Sequence, residues 1–123
     1  MDSTSLVRDG SQLLGWLDST KVKPRAALWV YNSEADSWRL WIVPPDKIDK
    51  AEFYLILSDI ISQHRSEIPG FDISFVEFKT DKHPAVQGLG KLFRLEGIGS
   101  VSVSNNYLNG FMLPDGIVLR MAV

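Results

Sequence analysis

The sequence predicts an α+β fold, with a mainly antiparallel sheet of five or six strands and two or three helices packed mostly on one face. Three observations predict it. Segments of helical and strand character alternate in the order α-β-β-α-β-α-β-β-β along 123 residues. Most of the strand segments are joined by short turns, which implies antiparallel pairing. One helical segment carries both a start signal and a full apolar stripe. At roughly 100–200 residues per domain, the chain makes one domain spanning residues 1–123. With 45% hydrophobic and 23% charged residues, the composition is that of a folded globular chain and not of a disordered one.

Residues 3–17 place Leu6, Leu13, Leu14 and Leu17 on one side at helical spacing. Asp18-Ser19-Thr20 then stops the helix with residues that prefer turns. Residues 25–31 and 38–43 form a hairpin, because both are rich in strand formers and a polar stretch, 32–37, separates them. Pairing Tyr31 with Trp38 puts Trp29 opposite Leu40 and Ala27 opposite Ile42. One face then carries Ala27, Trp29, Tyr31, Trp38, Leu40 and Ile42. The other carries Ala26, Leu28, Val30, Arg39, Trp41 and Val43. Both faces are mostly apolar, so both need a cover.

Pro44-Pro45 ends the second strand. Asp49 and Glu52 read as a capping box, and Phe53, Ile56, Leu57, Ile60, Ile61 and His64 follow at helical spacing. Pro69-Gly70 closes this helix. Residues 72–78 make a third strand. A short helix starts at Pro84, with Val86, Leu89, Leu92 and Phe93 on its apolar side. Residues 100–104 alternate strictly as Ser-Val-Ser-Val-Ser, and 117–122 make the last strand. Asn105-Asn106 and Asn109-Gly110 both have turn chemistry, and either could close the hairpin before it. Pro114-Asp115-Gly116 is a further turn.

Composition excludes several functions. With no Cys, the chain has no disulfide, no thiolate-bound zinc, no thiol nucleophile and no iron–sulfur cluster. A net charge of −2 argues against binding nucleic acid or anionic lipid by bulk charge. Lys21, Lys23, Arg25 and Arg39 near the hairpin are too sparse for a basic groove. The N-terminus lacks the basic stretch and apolar core of a secretory signal, and the longest apolar run, 26–31, is far short of a membrane span. A cytoplasmic chain is expected.

No catalytic, cofactor or metal motif survives inspection. Gly88-Leu89-Gly90-Lys91 suggests a phosphate loop, but Ala85 stands where the first Gly belongs and Leu92 follows the Lys. Gly97-Ile98-Gly99 lacks a preceding strand and reads as a turn. No Gly-x-Ser-x-Gly elbow occurs. His64 has no good ligand partner one turn away and reads as a half-buried, hydrogen-bonded histidine. His83, just before Pro84, reads as a capping or surface residue.

The remaining signal is aromatic. Trp29, Trp38 and Trp41 all fall in the hairpin. The simpler reading is that these rings are core, since aromatics supply large buried area; the sharper one is that a small domain cannot easily bury both hairpin faces, so one face meets a partner. Trp29, Tyr31, Arg39 and Trp41 are the candidate contact residues, Arg39 because it shares its face with Trp41 and can stack on it. The expected function is a non-catalytic protein-interaction or accessory module that binds a protein partner or a second copy of itself. On this expectation, Trp41→Ala weakens association more than folding. One alternative is a metal-dependent hydrolase or nuclease, which needs Asp46, Asp49 or Glu77 to converge with a His. Another is a ligand-sensing regulatory domain.

Ala27-Leu28-Trp29 through Trp38-Arg39-Leu40, the long helix, and Asn109-Gly110 with Arg120 in the last strand resemble a group of small bacterial proteins with no assigned function. The resemblance covers most of the chain and rests on the order of segments. It implies a bacterial, cytoplasmic, single-domain chain, and it supplies no substrate, cofactor or site residue.

Overall fold

The computed structural model describes residues 2–123. Helix α1 spans Ser3–Leu17, and the Asp2 carboxylate caps it by accepting from the Ser5 amide at 2.8 Å. Strands β1 (Ala26–Asn32) and β2 (Ser37–Val43) form the hairpin in the register that side-chain alternation requires, with Tyr31 opposite Trp38 and Trp29 opposite Leu40. Helix α2 spans Lys50–Gln63. Asp49 caps it by accepting from the Glu52 amide at 2.8 Å, while the Glu52 side chain turns away to Lys21 at 3.0 Å.

The third strand is shorter than expected. Residues 72–75 alternate like a strand, but Asp72 accepts from the Ser74 amide at 2.8 Å and folds Ile73–Phe75 into one 3-10 turn. Strand β3 is only Val76–Phe78. Helix α3 (Pro84–Leu92) follows, then β4 (Val101–Val103), β5 (Asn106–Leu108), β6 (Phe111–Leu113) and β7 (Gly116–Met121).

The fold is α+β, with three helices and seven strands in two sheets among the described residues. The main sheet has five strands in the order β3-β2-β1-β7-β4. It is mixed, where a mainly antiparallel sheet was expected, because α2 carries the chain back over the sheet and lays β3 parallel to β2. Strands β5 and β6 leave this sheet and pair only with each other. Asn109-Gly110, with φ +51 and +85, is the tight turn that closes the β5–β6 hairpin, whereas Asn105, φ +52, only bends the chain out of β4 and Asn106 already begins β5.

Each face of the sheet has its own core. Against the first face, α1 and α2 pack Leu6, Leu13, Phe53 and Leu57 onto Trp29, Leu40, Ile42 and Leu119. Against the second, α3 and the β5–β6 hairpin pack Val86, Leu89, Leu108 and Leu113 onto Leu28, Trp41, Val43 and Val118. The helices are therefore divided two and one between the faces. The apolar second face of the hairpin is covered within the chain. Gly10 explains itself here: a Cβ would lie 2.6 Å from Leu119 Cδ1 and 2.7 Å from Trp29 Nε1, so α1 rests directly on the sheet.

One ion pair ties the ends of this structure together. Arg120, 4% exposed on β7, donates from both terminal nitrogens to the Asp18 carboxylate at 2.6 and 2.8 Å. It also donates to the Pro24 carbonyl at 3.1 Å. Asp18 caps the C-terminal end of α1, where a carboxylate opposes the helix dipole, so the arginine is what makes it tolerable.

Candidate functional site

The four candidate contact residues do not form one cluster. Trp29 is 0% exposed under α1, and its indole N–H donates to the Leu6 carbonyl at 2.7 Å. It has no surface to offer a partner. Tyr31 lies on the same face as Trp29, farther out. Its ring packs on Trp38 with centroids 5.4 Å apart, and its hydroxyl donates to Asp36 at 2.6 Å. That hydrogen bond to a carboxylate, with some desolvation, raises the Tyr31 hydroxyl above its ordinary pKa. Arg39 and Trp41 share the second face, and Tyr31 joins these two in lining one cleft.

Around Trp41 the structure gathers residues from four segments. Register sets Glu77 of β3 beside Trp41, and Lys79, two residues on, shares that side. The Lys79 ammonium sits 4.7 Å above the Trp41 ring and 3.3 Å from the Glu77 carboxylate. His83 meets Trp41 edge-on at 4.8 Å, and Phe111 of β6 meets it at 6.0 Å. Trp41 is left 6% exposed. Next to this cluster, a cleft of about 440 Å³ opens between the turn end of the hairpin and β6. Val30, Trp41 and Phe111 line it, together with Arg39, Glu77 and Met112. Arg39 donates to the Ser74 carbonyl at 2.8 Å, which fixes it at the rim.

Sequence reasoning missed Lys79, Phe111 and Met112. The signal for Lys79 was present: strand period two puts it on the same side as Glu77. Phe111 and Met112 gave none, because their hairpin reaches Trp41 only through the tertiary fold. On that hairpin Tyr107 and Met112 are cross-strand partners, 70% and 55% exposed.

His83 caps α3 with its ring. The Ala85 amide donates to Nδ1 at 3.1 Å, so the neutral ring carries its proton on Nε2. Burial first, and the Lys79 charge second, hold its pKa below 6.5. The unfolded chain then binds more protons than the folded one, so stability rises with pH. The contribution is present above the ordinary histidine pKa and is lost as pH falls through the lowered value. His83→Asn keeps a cap acceptor and removes the titration. Urea midpoints at pH 5 and pH 7.5 should therefore differ more for the wild type than for the variant, and parallel shifts would refute the assignment. His64 takes the expected half-buried role, stacked on Trp16 at 3.8 Å with Glu67 at 3.2 Å.

The carboxylates required for metal chemistry are dispersed. Asp46 pairs with Arg25 at 2.8 Å, Asp49 caps α2, and Glu77 pairs with Lys79. Glu77 and His83 both approach Trp41, but the Lys79 ammonium beside them repels a cation. Among the described residues, no three His, Asp or Glu side chains are grouped to hold a metal ion, and no helix is long and apolar enough to cross a membrane. No protein-family model, curated protein or solved structure matches this chain.

Proposed function

We propose that the chain is a non-catalytic interaction module that binds a polypeptide segment of another protein, in keeping with the cytoplasmic setting expected from its sequence. The cleft beside Trp41 carries the reading. It joins an apolar floor, Val30, Trp41 and Phe111, to a rim with one positive and two negative side chains, Arg39, Glu34 and Glu77. Met112, 55% exposed, stands at its wall. An apolar floor within a charged rim suits a short peptide segment with apolar anchors and polar flanks. The bacterial resemblance adds no ligand, so the reading stands on the geometry.

Selection of a displayed peptide library on the folded protein tests it. Peptides enriched on the wild type should lose at least tenfold in affinity on Arg39→Glu and on Met112→Asp. Met112 lies at the surface, so Met112→Asp should leave the melting temperature unchanged, whereas Arg39→Glu also loses the bond to the Ser74 carbonyl and should lower it slightly without unfolding the protein. If no peptide is enriched, or if enriched peptides ignore both changes, the cleft is not the binding site.

A further inference from the structure

The β4 edge of the main sheet is unpaired, and we infer that it pairs with the β4 edge of a second copy, antiparallel, with Ser102 on the two-fold axis. The hydrogen-bond ladder fixes which backbone groups face outward. The Tyr31 amide donates to the Asp115 carbonyl at 2.9 Å, which makes Tyr31–Asp115 and, two residues on, Trp29–Ile117 the hydrogen-bonded pairs of β1 with β7. Gly116 and Val118 therefore turn their backbone groups toward β4, opposite Val103 and Val101. Ser102, opposite Ile117, is left with its N–H and C=O pointing off the sheet.

Charge and pattern identify the occupant. Residues 97–114 contain no charged side chain, in a protein where 23% of residues are charged. Beyond its shortness, β4 has none of the devices that normally blunt an edge: no Lys, no Pro, no covering strand. The strand itself carries no charge to repel its own copy, and the charges beside it are one of each sign: Arg8, which shares a pocket with Ser100 and Ser102, and Asp115, which accepts from Ser104 Oγ at 2.6 Å. The Ser-Val-Ser-Val-Ser run is symmetric about Ser102, so pairing on that residue sets Val101 of one copy opposite Val103 of the other. Val101 is 38% exposed and Ile98, just before it, 44%, so both gain cover. The pairing uses a surface separate from the cleft and rests on the interaction-module reading only for its purpose.

Light scattering over a hundredfold concentration range decides it. The wild-type mass should climb from 13.8 kDa toward twice that value. Ser102→Lys places two like charges at the axis, and Ser102→Pro removes the outward N–H while sparing the bonds to β7. Both variants should remain monomeric at every concentration, with unchanged circular dichroism. A wild type that stays monomeric throughout overturns the pairing, as does a dimer that survives in either folded variant. Peptide binding at Met112 by such a monomer would leave the cleft reading intact.

Discussion

Asp18→Ala is expected to destabilise the fold by about 3–5 kcal/mol, because it strands a buried guanidinium. Arg120 is 4% exposed, and without the carboxylate it keeps only the Pro24 carbonyl, at 3.1 Å. Among the described residues, its Nε already lacks a partner. Thermal melts should register a fall of about 10 °C or more. The cost lies in the unpaired charge and not in the contact. Asp18→Leu combined with Arg120→Met should therefore recover most of the loss, since apolar replacements of both partners are often neutral or better. If Asp18→Ala alone melts within a degree or two of the wild type, the pair is not a structural lock.

Trp41→Ala should cost about 3 kcal/mol, at the lower end for a core tryptophan because the space it leaves borders an open cleft that water can enter. Its ring supports His83 at 4.8 Å and Phe111 at 6.0 Å, so the loss should spread to α3 and the β5–β6 hairpin. Hydrogen exchange should show faster opening there than in α1 or α2. This reverses the expectation from sequence that the substitution would affect association more than folding. Arg39 and Met112 are the cleaner probes of binding. Trp41→Phe, which keeps most of the apolar volume, should retain most of the stability, and equal losses for Phe and Ala would contradict the packing account.

Local chemistry made much of the fold legible. The hairpin register followed from Tyr31 and Trp38 flanking a polar turn, and the start of α2 from Asp49. That both hairpin faces need cover was also legible from Leu28, Val30 and Val43 alternating with Ala27, Trp29 and Ile42. What covers the second face was not, because α3, Leu108 and Leu113 arrive from distant sequence. The parallel placement of β3 was hidden for the same reason, and residues 72–75 imitated a strand while Asp72 coiled them into a turn. Asp18 read only as a helix stop, since its partner lies 102 residues away. At the candidate site, Arg39 and Trp41 were visible as neighbours on one strand face. Lys79, His83 and Phe111 come from three other segments that only the fold brings together.

Strand β7 is made late but sits between β1 and β4. The β1–β2 hairpin can close early during synthesis, yet Trp29 finds its neighbour Ile117 only when β7 has emerged from the ribosome. Until then β1 is an open edge with apolar side chains on both sides, and β4 has no strand to pair with. The nascent chain must pass through this interval before β7 can fill its place, so the apolar edge of β1 is open in the newly made protein and not in the finished one.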